Sequence, residues 1–215
     1  MSDRKYGSEL LRLVEVMDKL RSPGGCAWDA EQTHESLIKY LLEESYEFID
    51  AIESDDRIGM REELGDVLLQ VYFHSRIAQD HPTDPFTIDD VAGAIADKLI
   101  GRHPHVFAGV EVNSTEEIIE NWEAIKAKEK GRTSPIDGVA MSQPALSLIS
   151  KLIYRADKYG APIDIREYET EAEANQDSVG EALASVIAWA YRNNVDPEQA
   201  LRAQARKIVE QLARS

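Results

Sequence analysis

Helix-period patterning runs through almost the whole chain while strand-period patterning is nearly missing, and this restricts the fold to packed helices. Leu10, Leu13, Val14, Met17 and Leu20 repeat at helical spacing and predict a first helix over roughly Ser8 to Leu20. Ser22-Pro23-Gly24-Gly25 stops it, and Cys26-Ala27-Trp28-Asp29 makes a short connection. Thr33 caps a second helix running to about Ser54, with Leu37, Leu41, Phe48 and Ile52 on one stripe. A third is expected from near Gly59 to Gln79, carrying Leu64, Val67, Leu68, Val71 and Ile77. Thr87 with Asp90, and Ser114 with Glu117, read as capping boxes. They open a fourth helix ending around Ile100 and a fifth running through Lys130. The expected class is therefore all-α, a helical bundle.

The remainder reads as a second unit. Gly131 to Gly138 is small and polar, contains Pro135, and serves as a linker, which puts the expected boundary between residues 133 and 134. Helices fit about Gln143–Tyr159, Ser178–Asn193 and Pro197–Ala213. The last has Asp196 as cap, Pro197 at the first helical position and Gln199 at the third. Ile165–Asp177 is acidic and poor in apolar residues, either a solvated helix or a mobile loop.

Charge narrows the function. Lys plus Arg number 24 against 40 Asp plus Glu, a net charge of -16. Such a surface repels phosphate backbones and anionic lipid, so neither nucleic acid nor membrane is expected as a partner. Apolar residues make up 43%, too many for a disordered acidic chain. No apolar run approaches a bilayer span, and Met1–Lys5 shows no signal-peptide pattern. Cys26, the single cysteine, has no partner for an internal disulfide; a reducing cytoplasm is the expected location.

The chemistry concentrates in the second and third helices. One contains Glu43-Glu44-Ser45-Tyr46-Glu47 and the other Glu62-Glu63-Leu64-Gly65-Asp66. Glu44 and Glu47 share one helix face, as do Glu63 and Asp66, with Glu43 and Glu62 flanking them. If the two helices pack antiparallel through a short Asp55–Ile58 turn, four carboxylates converge. Anions held that close need a compensating cation. All-oxygen ligands without Cys or His select a hard ion, Mg²⁺ first and Mn²⁺ next. The alternative is a pair of solvated acidic faces. Against it stand the repeated E-E-x-x-acid grammar and Gly65, which costs roughly 1 kcal/mol within a helix and signals close helix approach or room for a ligand.

Several stretches together resemble one family. They are Cys26-Ala27-Trp28-Asp29-Ala30-Glu31-Gln32-Thr33, Leu42-Glu43-Glu44-Ser45-Tyr46-Glu47 and Glu62-Glu63-Leu64-Gly65-Asp66-Val67-Leu68-Leu69-Gln70-Val71. The match continues through Asp97-Lys98-Leu99, Arg102-His103-Pro104-His105-Val106-Phe107 and Asn121-Trp122-Glu123-Ala124-Ile125-Lys126. In this order they resemble the MazG family of nucleoside triphosphate pyrophosphohydrolases over about residues 8 to 130. Ala27 stands where the family usually has proline.

The resemblance implies an all-α fold of the MazG type, a homodimer, and Mg²⁺-dependent hydrolysis of nucleoside triphosphates to monophosphate and pyrophosphate. It makes Glu44, Glu47, Glu63 and Asp66 the metal ligands. Glu43 and Glu62 become supporting acids that orient the attacking water. Lys98, Arg102, Trp122 and Lys126 become candidates for holding the triphosphate and base. Read from the residues alone, Lys98 and Arg102 are also ordinary cations near a helix end. Trp122 is more often a core aromatic than a stacking platform, with both open here, and Lys126 is placed to pair with Glu123, Glu129 or nothing. His103 and His105 flank Pro104 and are expected to shape a turn or meet a partner subunit. His74 is expected to pack in the bundle and Trp28 to seal one end of the core.

The second unit departs from the pattern. Ser147–Gly160 resembles the start of a repeat, and Gly180-Glu181-Ala182-Leu183 through Leu201-Arg202-Ala203 resembles later helices. No helix carrying E-E-x-x-E is recognisable there, and Glu181 alone does not assemble a divalent site. This unit is expected to be truncated and catalytically silent. Rival functions are hydrolysis of another phosphorylated metabolite, such as a phosphoribosyl-nucleotide, and a non-catalytic regulatory helical module. A ferritin-like di-iron bundle would need Glu-x-x-His pairs, which are missing.

Overall fold

The computed structural model describes residues 7–131, 133–161 and 175–203, and no strand occurs among them. The expected all-α class is what forms. In chain order the helices are α1 (Ser8–Arg21), α2 (Ala27–Glu31), α3 (His34–Glu53), α4 (Arg57–Ala78) and α5 (Ile88–Arg102), then α6 (Pro104–Phe107), α7 (Thr115–Glu129), α8 (Ala145–Tyr159) and α9 (Gln176–Arg192). A further helix opens at Pro197 and is described to residue 203. The expected course of that helix beyond 203 lies outside the described residues, as does the acidic stretch up to 174.

Side-chain caps set most helix starts. Thr33 Oγ1 accepts from the Ser36 amide while Ser36 Oγ accepts from the Thr33 amide. Thr87 and Asp90 do the same for α5. Each such cap contributes about 1 kcal/mol. Asp56 Oδ1 accepts from the amides of Ile58 and Gly59, which starts α4 at Arg57, two residues before the expected Gly59. Asp55 makes the preceding turn at φ 54°, a left-handed conformation that aspartate tolerates. Asp196 Oδ1 accepts from the amides of Glu198 and Gln199, the cap read from the sequence.

Contacts divide the chain into two units, Met1–Glu111 and Val112–Ser215. The division falls earlier than the expected 133/134, so α7 groups with the second unit. The Gly131–Gly138 stretch is no free linker. Asp137 accepts from the amides of Thr133 and Ser134, and the buried Arg155 of α8 donates to the Asp137 carbonyl at 3.0 Å. Boundaries fall where few contacts cross, and this stretch is docked on its own unit.

Each unit has its own core. In the first, Met17, Leu37, Tyr72 and Phe73 are buried, with Leu13, Leu20, Tyr40 and Leu68 packed around them. Fully burying a side chain such as Leu37 is worth about 1.5–3 kcal/mol. Arg76 fastens α4 to α1 through Asp18 at 3.0 Å. The Arg21 guanidinium donates to the carbonyls of Asp29 and Gln32, and so pins α2, a helix absent from the periodicity reading because five residues carry no period. In the second unit, Ile153, Ile187 and Ala188 are buried between α8 and α9.

Trp28 does not seal the core. It is 51% exposed and offers only edge contacts, to Tyr40 and Phe73. A Cβ on Gly65 would meet nothing within 4 Å, so no close helix approach requires glycine there.

Candidate functional site

The first unit is organised around α3 and α4, which share the most extensive helix–helix contact among the described residues. The Ser54–Asp56 turn returns α4 antiparallel to α3. Leu37 and Phe73 turn inward, and this leaves a band of acids along the middle of the pair. Glu63 and Asp66, three residues apart on one face of α4, meet Glu44 of α3. One carboxylate oxygen from each of these three residues lies within 4.8 Å of the others.

Glu47 is not in that group of three, but its charge acts on Glu63. Glu43 and Glu62 are exposed at the rim. Their charges still act on the cluster, Glu43 on Glu44 and Glu62 on Glu63. The antiparallel packing thus brings together what the sequence spacing could only place on separate faces.

Electrostatics strain this arrangement. Desolvation raises the Glu44 pKa above its ordinary value, and Asp66, Glu47, Glu43 and Glu63 push it further the same way. Glu63 is raised by desolvation, then by Glu47, Asp66 and Glu62, and last by donation of its own carboxyl proton toward Glu47. All the charges named as acting on these two carboxyls are negative. The cluster is therefore built for a cation. Oxygens on opposite sides of a Mg²⁺ stand about 4.2 Å apart, given bonds near 2.1 Å, and three oxygens already within 4.8 Å of one another fit such an ion with small side-chain adjustments. The residues fit a hard divalent cation.

The other candidates lie elsewhere. Lys98 and Arg102 occupy successive turns at the end of α5, Lys98 exposed and Arg102 only 7% exposed. Trp122 and Lys126 are on α7, in the second unit. There Lys126 Nζ sits 4.2 Å from the Trp122 ring centroid and 3.8 Å from Glu123 Oε1, one of the pairings its position allowed. His103 ends α5 and donates from Nδ1 to the Leu99 carbonyl at 2.7 Å, and Pro104 opens α6; these histidines shape a turn. His74 packs as expected, but on a partner no local pattern announces, His34 of α3 at 2.7 Å. Forty residues separate them, so only the folded pair reveals it.

An all-α chain whose antiparallel helix pair gathers carboxylates that fit a divalent cation belongs to a recognisable class of helical protein, and comparison with known proteins makes it specific. Residues 32–107 match the MazG nucleotide pyrophosphohydrolase domain, a span that includes all six acids. A Thermotoga maritima protein, nucleoside triphosphate pyrophosphohydrolase/pyrophosphatase MazG, is 44% identical over 214 residues, covering 92% of this chain and 82% of that one. A Mycobacterium tuberculosis nucleoside triphosphate pyrophosphohydrolase is 52% identical over 160 residues, 74% of this chain and 48% of that protein. An uncharacterised Streptomyces cacaoi protein is 48% identical over 200 residues, 93% of this chain and 79% of its own length. This chain belongs to the MazG family. It spans about half the length of the M. tuberculosis relative.

Proposed function

We propose that this chain hydrolyses nucleoside triphosphates, canonical or damaged, to the monophosphate and pyrophosphate, with Mg²⁺ as cofactor and Mn²⁺ as substitute. The observation that carries the reading is the Glu44–Glu63–Asp66 cluster inside the matched domain. Glu44, Glu63 and Asp66 hold the cation, with Glu47, one turn from Glu44, joining them. A bound divalent ion supplies a lowered water pKa and charge neutralisation for the phosphates. Glu43 and Glu62, at the rim, orient the attacking water, and one of the two carboxylates accepts its proton. Lys98 and Arg102 neutralise the remaining phosphate charge, Arg102 with the planar fork suited to phosphate oxygens. Trp122 and Lys126, on the second unit, remain the candidates the family resemblance names for base and phosphate.

A homodimer fits the apolar surface left on the first unit. Ile38, Leu42 and Tyr46 line successive turns of α3 and are all exposed, as are Leu64 and Val71 on α4. Such a stripe is best covered by a second copy. The second unit, with Glu181 alone, is a truncated and silent MazG-like repeat. No described helix is long and apolar enough to cross a membrane. With a net charge of -16 and one cysteine, the reading is a cytoplasmic enzyme without nucleic-acid or membrane partners.

The test is pyrophosphate release from a panel of nucleoside triphosphates, with and without Mg²⁺, for wild type and Glu63→Ala. Release that needs Mg²⁺ and collapses in the variant supports the proposal. Equal hydrolysis after chelation sinks it. Release only from a phosphoribosyl-nucleotide would reassign the substrate.

A further inference from the structure

Two turns past Asp66 on α4, His74 meets His34, the first residue of α3, Nδ1 to Nδ1 at 2.7 Å. Their ring planes differ by only 2° and their centroids are 5.1 Å apart. That separation is close to the nitrogen–nitrogen distance plus one ring radius on each side. The rings therefore lie head to head in nearly one plane, with both Nδ1 atoms on one line. A gap of 2.7 Å on that line holds one shared proton. A metal ion between opposed nitrogens would need about 4 Å.

The two rings are unequal. His34 is exposed, whereas His74 is partly enclosed and its Nε2 is buried without a partner. Burial, then the neighbouring His34, lowers the His74 pKa below its ordinary value. Protonation of His74 is therefore disfavoured, and its neutral Nδ1 accepts the one proton in the gap. A proton added there as well would set N–H against N–H and break the bond. Glu35, next in sequence, is the carboxylate that interacts with His34, and His34 is the charge that acts on His74; Arg21 of α1 has Asp29, Arg76 and Asp80 about it. Arg21 lies 5.5 Å over the ring of Phe73, the residue before His74.

The placement of this bond gives it a role. The α3–α4 hairpin is closed covalently at one end by the Ser54–Asp56 turn. The histidine pair fastens the other end, ten residues before Glu44 and eight after Asp66, roughly 15 and 12 Å along the two axes. The acid cluster lies between the two fastenings, one ligand on α3 and two on α4, so its spacing depends on how α3 rides on α4. We propose that His34 and His74 are positioning residues, a proton-dependent clasp that sets the distance from Glu44 to Glu63 and Asp66 and thereby the divalent-cation affinity of the cluster. This rests on the reading that the cluster binds the catalytic cation.

The experiment is calorimetric titration of the full chain with Mg²⁺ alone, across pH, for wild type, His34→Phe, His74→Phe, the double variant and His34→Asn. Each phenylalanine should weaken Mg²⁺ binding about 10-fold at neutral pH, the scale of a small misplacement of ligands. The double variant should be no worse than either single one. His34→Asn, whose amide N–H stands near the imidazole Nδ1, should restore affinity and flatten the extra acid-side weakening seen in wild type. Unchanged affinity in the phenylalanine variants, or losses that simply add, would overturn the clasp while leaving the cluster's role intact. If the phenylalanine variants do not fold, His34→Asn carries the test: an acid-side profile identical to wild type overturns the proposal. Wild-type protein that binds no Mg²⁺ would remove the reading of the cluster itself, and the clasp with it.

Discussion

The two units solve the same packing problem with different seams. In the first, α3 and α4 bury Leu37 and Phe73 but interrupt the apolar contact with Glu44, Glu63 and Asp66. In the second, α8 and α9 bury Ile153 and Ile187, and the neighbouring hollow is a 330 Å³ cavity lined by Leu146, Leu183, Val186, Trp189 and Leu201 among others. Asp177 and Glu181 stand one turn apart on α9, but among the described residues no acid of α8 gathers with them. Helix pairing alone therefore does not make a cation site; it takes acids at helical spacing on both partners. The acids cost the first unit stability, because close carboxylates repel one another, and the apolar seam bears no such cost.

The sharpest way to break this contrast is by mutation of acids. Glu63→Ala, Asp66→Ala or Glu44→Ala should each lower Mg²⁺-dependent turnover about a thousandfold, whereas Glu181→Ala should leave it unchanged. Steady-state kinetics decides it, and the reverse pattern would mean the active half has been assigned wrongly. Next in size is a packing test. Leu37→Ala should cost about 2–5 kcal/mol and take activity with it, measured by urea unfolding alongside turnover. Ile187→Ala should lose a similar amount of stability with activity retained below the transition.

The cluster's own charge offers a third test. Glu44 and Glu63 have folded pKa values raised above the ordinary 4.5, so they favour the folded state below that value. That contribution is lost as pH rises through their raised values. In chelator, Glu63→Gln should therefore melt higher than wild type at neutral pH, and the gap should close in acid. Mg²⁺ at a hundred times its Kd should stabilise wild type by about 2.7 kcal/mol and the variant far less, read from thermal melts. The smallest effect is expected at Lys98, where alanine should raise KM about tenfold with little change in kcat, if its part is to hold phosphate in ground and transition state alike.

Much of this was legible in the chain. The caps at Thr33, Thr87, Ser114 and Asp196 were readable because a side-chain acceptor and an amide three residues on are local partners. The pairing of Glu63 with Asp66 was readable for the same reason, since helical spacing is a local property. The five-residue α2 was not, and neither was the boundary after Glu111, because Arg21 and Arg155 hold distant carbonyls whose positions no spacing encodes.

By itself the sequence determined the all-α class, the acidic faces on the second and third helices of its reading, and the resemblance carried by them, all consequences of periodicity and residue type. Only the tertiary structure decided which acids meet. It joined Glu44 to Glu63 and Asp66, left Glu47 outside that group, and closed His34 on His74 across thirty-nine intervening residues. The reason is geometric: a helix's period says which side chains share a face, but the register between two helices comes from the core and turn that lock them together.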